Sequence, residues 1–353
     1  MGMVFDHATL AQRVLFGTGR ALENVGTSVT ALGARRVLLI AGASAAMLGN
    51  DIAAATPVVA RIQDVVQHVP AGNVARAVAV AKDAHPDLIV AIGGGSAVGL
   101  AKIVACETGL PIVAVPTTFS GSEATDVWGT TRDGRKTTGT DPRALPKVVI
   151  YDAALLSTLP TSLAVASGVN AIAHAVDGFW APRADPINTA LGAEGLRALV
   201  PGLRAIVTDP DDIGARERTL YGAYLAAVAF ASAGSGIHHK ICHALGGTFN
   251  LPHAETHSVM IGYVAAFNST FAPDATDRIT AALGSASPGS GFFALGQDLG
   301  TPASLRELGF EESDIRAAAE IILPSIPASN PRPVTGQDLE VLLRAAWAGE
   351  ALS

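Results

Sequence analysis

The first half of the chain alternates short, uniformly apolar runs with helix-length amphipathic segments. The runs are Arg36-Val37-Leu38-Leu39-Ile40-Ala41-Gly42, Asp87-Leu88-Ile89-Val90-Ala91-Ile92, Pro111-Ile112-Val113-Ala114-Val115-Pro116 and Val148-Val149-Ile150-Tyr151. Apolar runs of this length, bounded by glycine or proline, fit strands that are buried on both faces. Their helix-length separation calls for crossover connections, so the pattern predicts a parallel sheet with helices on both sides. In such Rossmann-like sheets, ligands bind beyond the carboxyl ends of the strands. Between Val127 and Thr138 the rhythm changes to two short β-type runs around Arg132-Asp133-Gly134-Arg135. Asp-Gly is a strong hairpin signal, and the segment reads as a β-ribbon inserted into the sheet domain.

After Leu159-Pro160 the strands stop. Thr161 can cap a helix running towards Trp180, and Ala/Leu/Val-rich helical stretches follow around 186–206, 212–235, 255–270 and 311–324. Ser285–Gly291 reads as a small-residue loop, and Ser329-Asn330-Pro331-Arg332-Pro333 as a stiff link before a last helix at about 336–348. The expected organisation is an α/β domain over 1–159 and an all-helical domain over 160–353.

Composition narrows the class. Of 353 residues, 49% are hydrophobic and 16% charged, a balance that argues against disorder and for a compact globular protein. A formal charge of -7, with no Lys/Arg run, gives no footprint for a nucleic-acid backbone. No apolar run reaches the ~18 residues that would span a bilayer, and no signal-peptide pattern opens the chain. The two cysteines, Cys106 and Cys242, read as core thiols in a reducing compartment. The expectation is a cytoplasmic protein without nucleic-acid or membrane partners.

Three stretches carry candidate chemistry. Gly93-Gly94-Gly95-Ser96 follows directly on the second apolar run and precedes a helix. Glycines there let a ligand approach the backbone, and the N–H groups and dipole of a helix start suit a phosphate. Gly17-Thr18-Gly19 lacks the third glycine of a dinucleotide fingerprint and reads as a plain turn. Pro116-Thr117-Thr118-Phe119-Ser120-Gly121-Ser122-Glu123 leaves the next strand in the same way as the glycine turn, and its hydroxyls can bond a ribose, an amide or a phosphate.

The third stretch concentrates five of the chain's nine histidines, His238, His239, His243, His253 and His257, between Gly234 and His257. His239 and His243 are four apart and share a helix face, as do Asn170 and His174 upstream. Such a cluster can hold a metal, move protons, or do both.

The order of these motifs resembles the iron-containing alcohol dehydrogenase family, whose relatives include glycerol dehydrogenase and dehydroquinate synthase. The match runs through GGGS at 93–96, PTT-x-x-GSE at 116–123, the Asn170/His174 pair and H-x-x-x-H-x-L-G…P-H at 239–253. The resemblance implies a dehydroquinate synthase-like fold with a dinucleotide-binding domain, a helical domain and an active site in the cleft between them. It implies cofactor contacts from Gly42, Gly93, Gly94, Gly95, Ser96, Thr117, Thr118, Ser120 and Lys136, and a homodimer.

Phrases such as Phe119-Ser120-Gly121-Ser122-Glu123, Asp133-Gly134-Arg135-Lys136, Ser167–His174 and Asn330–Thr335 are similar to one subgroup in particular. Its members reduce the unsaturated oxo-diacid 2-maleylacetate to 3-oxoadipate with NADH or NADPH, downstream of (chloro)aromatic ring cleavage.

Two departures sharpen the comparison. Metal-dependent members of the family have aspartate where this chain has Asn170, beside histidines matching His174, His239 and His253. The loss of the one anionic ligand should weaken a divalent ion considerably, so no metal is expected. If one is bound, Asn170, His174, His239 and His253 are its ligands. Alcohol dehydrogenases of the family also have aspartate at Gly99, again unlike this chain. The first apolar run ends Ala41-Gly42-Ala43-Ser44 without an acid to meet a ribose 2′-hydroxyl, so NADPH is expected alongside NADH.

On this reading His243 or His238 donates the proton, and His174, His239 and His253 line the pocket. Lys240, Arg132 and Arg135 are candidates for the substrate's carboxylates. The competing readings are a metal-dependent alcohol or polyol dehydrogenase, and an NAD(H)-binding sensor without turnover.

Overall fold

A computed structural model describes residues 3–67, 69–132 and 135–350. The described chain falls into two compact units, Leu10–Leu159 and a second that joins the residues before Leu10 to the chain from Pro160 onward. The division after Leu159 lies where the apolar runs end. The N-terminal residues, by contrast, were expected with the sheet. They are held by the helical unit instead, through His7 Nδ1 to Asp185 Oδ2 at 2.8 Å and Ser232 Oγ to the Ala8 carbonyl at 3.2 Å.

The sheet unit contains β1 (Arg13–Phe16), β2 (Val37–Ala41), β3 (Val58–Ile62), β4 (Leu88–Gly93), β5 (Ile112–Pro116), β6 (Val127–Arg132), β7 (Arg135–Thr140) and β8 (Val148–Tyr151). Six of these strands form one sheet in the order β1-β8-β5-β4-β2-β3, and every pair is parallel. The four runs legible as apolar are its four inner strands. Alternate residues serve opposite faces: Leu38, Ile40, Ile89, Ala91, Ile112 and Ala114 enter one core. Val37, Leu39, Leu88, Val90, Val113 and Val115 enter the other. The cores are closed by α1 (Ala21–Ala31) and α2 (Ala46–Ala55) on one side, and by α3 (Ala71–Ala84) and α4 (Gly95–Thr108) on the other. Edge strands β1 and β3, absent from the sequence reading, are partly exposed along their length and so lack the continuous apolar signal.

Strands β6 and β7 pair antiparallel as the expected ribbon. The ribbon is anchored where the Val69 carbonyl accepts from Thr131 N at 3.2 Å and Thr130 Oγ1 at 3.0 Å. Val69 sits at φ 47, a costly conformation for a β-branched residue. A Cβ on Gly99 would lie 3.1 Å from its side chain, which accounts for the small residue where an aspartate was noted as the family's alternative.

The helical unit comprises α5 (Thr161–Gly178), α6 (Pro186–Thr208), α7 (Ile213–Ala233), α8 (Ile237–Phe249), α9 (His253–Asn268), α10 (Pro273–Leu283), α11 (Pro288–Leu299), α12 (Ile315–Ile322) and α13 (Gly336–Ala348). Thr161 is the first residue of α5 and makes no cap; Pro160 holds that position. The small-residue segment Ser285–Gly291 is not a loop throughout. Ser287 accepts from Ser290 N and Pro288 opens α11, a capped start that its composition hides. Its glycines serve packing: a Cβ on Gly289 would lie 3.2 Å from Ala266 on α9. Both cysteines are free, Cys242 buried and Cys106 partly so. Among the described residues no single helix is long and apolar enough to cross a membrane.

Candidate active site

In the sheet unit the glycine turn and the Thr/Ser turn leave neighbouring strands side by side. Gly93 on β4 is in register with Pro116 on β5, and Thr117 N donates to the Gly93 carbonyl at 3.1 Å. Gly93 has φ 143, and a Cβ there would stand 2.8 Å from Ala97. A Cβ on Gly94 would stand 2.7 Å from Thr118 Cγ2, and one on Gly95 3.5 Å from Ser120 Oγ. No other residue fits the first two positions without displacing a neighbour. Thr118 Oγ1 is buried beside this turn without a hydrogen-bond partner. Gly95 starts α4, Ser96 follows it, and Gly42 comes directly after β2, the strand beside β4. The chain reverses its progress across the sheet between β2 and β4, so Gly42 and Gly93–Gly95 flank a topological switch point. Within the sheet unit, the two turns therefore match a dinucleotide cradle. The ribbon's Lys136, with Arg132 and Arg135, has its side chain outside the described residues.

The histidines assemble in the helical unit around a residue to which the sequence reading gave no role. Asp177, one turn beyond His174 on α5, is completely buried. Its carboxylate accepts the start of α8: Gly236 N at 3.0 Å, His238 N at 3.2 Å and His239 N at 3.1 Å. It also accepts Trp180 Nε1 at 3.1 Å and His239 Nδ1 at 2.7 Å. A buried carboxylate is tolerable only with such compensation, and the N-terminal dipole of α8 adds to it. The approach depends on Gly236, where a Cβ would be 2.5 Å from Asp177 Oδ1. Gly234-Ser235-Gly236 before the histidines was the signal available in the sequence.

The bond from Nδ1–H to Asp177 fixes the tautomer of His239, because a carboxylate only accepts. Nε2 of the neutral ring is then a bare lone pair, buried and without a protein partner. His174 stacks on His239 with centroids 5.2 Å apart, and Phe230 packs against both rings at 4.6 and 4.5 Å. Asn170 Nδ2 lies 3.4 Å from His174 Nε2. Burial is the first cause, and neighbouring imidazoles the second, that hold His174 and His239 well below the usual histidine range. Both are neutral at pH 7.

Asn250, left-handed at φ 56, ends α8, and Pro252 starts α9, returning His253 to face His243. Their rings stack 5.9 Å apart, and both residues are exposed. Lys240 is half-buried next to His239. His238 is turned inward, its ring edge-on to His239 at 5.4 Å. It is fully buried, its Nε2 lies 2.8 Å from His257 Nδ1 and 3.7 Å from Cys242 Sγ, and burial pushes its pKa down to about 3. It is therefore corrected from proton donor to interior support, since a ring that does not protonate near neutral pH cannot supply a proton.

The described sequence matches two family models in succession: iron-containing alcohol dehydrogenase over residues 11–153, and the C-terminal domain of the Fe-containing alcohol dehydrogenase family over 164–347. Maleylacetate reductase of Pseudomonas sp. (strain P51) is 42% identical over 350 residues, covering 99% of each chain. An iron-containing alcohol dehydrogenase from Corynebacterium glutamicum superposes with a TM-score of 0.95 at 50% identity, over 99% of this chain and 98% of that one. Maleylacetate reductase from Rhizobium sp. strain MTP-10005 does so with 0.94 at 37% identity, over 99% of each.

Proposed function

The chain belongs to the iron-containing alcohol dehydrogenase family, and within it we propose that the chain is a maleylacetate reductase, reducing 2-maleylacetate to 3-oxoadipate with NADH. The observation that carries the reading is full-length likeness to maleylacetate reductases combined with a neutral Asn170 in the histidine pocket.

The substrate's C=C is conjugated to a ketone. NADH, when bound, would supply a hydride with its electron pair to the alkene carbon remote from the ketone. The π electrons move onto the ketone oxygen, giving an enolate and NAD⁺, and one proton delivered to the other alkene carbon completes 3-oxoadipate. Conjugation spreads the developing charge, so hydrogen-bond donors can stabilise it. The interior rings of His174 and His239 are neutral and serve as fixed polar walls. The exposed pair His243 and His253 can exchange protons with solvent, and His243 is assigned as proton donor. Lys240 is assigned to a substrate carboxylate.

The donor set should hold a divalent ion less tightly than one that includes a carboxylate. Asn170, His174, His239 and His253 include no anion, and the Asn170 amide is engaged with His174. We propose turnover without a resident metal. One observation favours the second reading, a metal-dependent dehydrogenase: Asp177 leaves His239 Nε2 as a buried lone pair, the orientation that a carboxylate gives a metal-ligating histidine. Since β2 ends in Ala41-Gly42 with no acid following, NADPH is proposed as an alternative reductant.

The test is NADH absorbance with 2-maleylacetate against a panel of alcohols and ketones, before and after exhaustive chelation and metal analysis, and with NADPH. Turnover of 2-maleylacetate that survives chelation, with both nucleotides, is expected, and His243→Ala should lose most of kcat while still binding NADH. A stoichiometric metal whose removal abolishes turnover would overturn the metal-free account of Asn170, and metal-dependent turnover of a simple alcohol in place of 2-maleylacetate would establish the second reading. Inert NADPH would refute the relaxed nucleotide choice.

A further inference from the structure

The helical unit contains a cavity of about 930 Å³ that the chemistry above does not use, walled by α9, α11, α13 and the link before α13. Its volume falls within the roughly 300–1,000 Å³ of small-molecule sites. Among the described residues, no histidine lines it. Gly262 and Ala266 of α9 do, and at 3.6 residues per turn they stand about 140° and 180° round that helix from His257. The cavity therefore lies on the back of the helix that carries His253 and His257.

Its wall combines aromatic surface with one pre-set cation. Tyr263, Phe267, Phe292 and Phe293 line it, and Phe293 and Val341 do so while exposed. Among the described residues, Arg332 is the only cation in the lining and Asp338 the only acid. Arg332 comes from the Asn-Pro-Arg-Pro link, and its place is fixed before any ligand arrives. Asn330 and Asn268 exchange amide hydrogen bonds at 3.0 and 2.9 Å, and Asn330 Nδ2 also donates to the Arg332 carbonyl at 2.7 Å. The guanidinium carbon sits 4.0 Å from the centroid of Phe267, and Nη2 donates to Asp338 Oδ1 at 2.8 Å. Asp338 is also claimed from its other side, by the backbone N–H and hydroxyl of Thr335 at the start of α13. A guanidinium stacked on a ring keeps its N–H edge free, and Asp338 takes only one of its five N–H groups. Among the described residues, no other side chain or carbonyl takes the rest. The start of α11 lines the same space with no acid in its first turn, so its dipole adds to the positive field.

We propose that this cavity is a second binding site, for a small organic anion with an aromatic body and one carboxylate. The carboxylate pairs with the open edge of Arg332, the bidentate geometry that a guanidinium favours, and the body lies against the aromatic wall. The pinned link removes part of the ordering cost of binding. The site is separate from the reduction and stands whether or not that activity is found.

The test compares two fluorescent probes that differ in charge, 8-anilinonaphthalene-1-sulfonate, whose sulfonate stands in for the carboxylate, and neutral N-phenyl-1-naphthylamine. Both are titrated with NAD⁺ at saturation, and the anion should bind one per chain and the tighter of the two. Arg332→Met should weaken the anion about tenfold or more and the neutral probe less than about threefold, as loss of a charge-assisted hydrogen bond would. Val341→Trp, which puts bulk into the cavity, should weaken both alike, by about tenfold. Equal affinity of the two probes in the unmodified protein would overturn the anion assignment, as would equal losses in Arg332→Met. Anion binding that NAD⁺ abolishes, or that Val341→Trp leaves unchanged, would place the probe elsewhere and overturn the site. Sedimentation should show one oligomeric state for the unmodified protein and Val341→Trp; a variant that dissociates would assign this face to a second copy of the chain instead. If Arg332→Met does not fold, Arg332→Lys takes its place, since lysine keeps the charge without the fork and should again weaken the anion more than the neutral probe.

Discussion

At the residue scale the site turns on Asp177. All five groups that reach it are donors, so an amide in its place would aim its own N–H atoms at N–H atoms. Asp177→Asn should destabilise the protein by about 2–4 kcal/mol, as expected for disrupting a buried, charge-assisted network. It should also lower kcat about 10–100-fold, because His239 loses its fixed tautomer. Urea unfolding and steady-state kinetics measure the two effects, and stability loss with an unaltered kcat would reduce Asp177 to a helix cap. Asn170, His174, His239 and His243 were legible in the sequence because i, i+4 spacing is a local property. Asp177 was not, although it stands only three residues after His174. Its meaning comes from the start of α8, some sixty residues later, closing onto it. His238 was misread for the same reason. Adjacent to His239 in sequence, it is turned about 100° around the helix, and only packing against His257 of α9 shows that direction to be interior.

At the element scale, the inner strands were readable because burial on both faces leaves an unbroken apolar run, while β1 and β3, each with one neighbour, carry no such mark. The small residues of α11 misled because composition does not distinguish a loose loop from a close helix contact. The glycine turn was read correctly, and the structure adds what it packs against. Gly94 has an ordinary backbone conformation, so only space forbids a side chain there. Gly94→Ala should push Thr118 away from the turn and weaken NADH binding about tenfold or more, at a stability cost of about 1–3 kcal/mol for overpacking. Fluorescence titration with NADH checks this, and unchanged affinity would show that the two turns do not jointly form the cradle. The same variant should leave the tautomer of His239 untouched, since Asp177 sets it within the helical unit.

At the scale of the whole molecule, four neutral imidazoles sealed in one helical unit must make folding sensitive to acid. His174, His239 and His257 are held well below the ordinary histidine range by burial, and His238 is lowered to about 3. The unfolded chain takes up protons near pH 6.5 that the folded chain refuses. Stability from these rings is therefore complete above pH 6.5 and is lost as the pH falls from there towards 3. The slope is about 1.4 kcal/mol per pH unit for each ring. Glu123 in the sheet unit acts in the opposite sense, because burial raises its carboxyl and acid favours its folded form. Urea midpoints should accordingly fall steeply between pH 6.5 and 5, and His257→Gln, which removes one such ring, should flatten the slope by about one ring's share. A midpoint indifferent to pH over that range would mean that the rings are protonated in the folded state, and the lone pair of His239 would not survive it. The burial that makes these histidines sensitive to acid is also what bars them from acting as acids. Proton delivery is left to His243 and His253 at the exposed edge, and the interior rings act as fixed polar groups, with Asp177 setting the direction of His239.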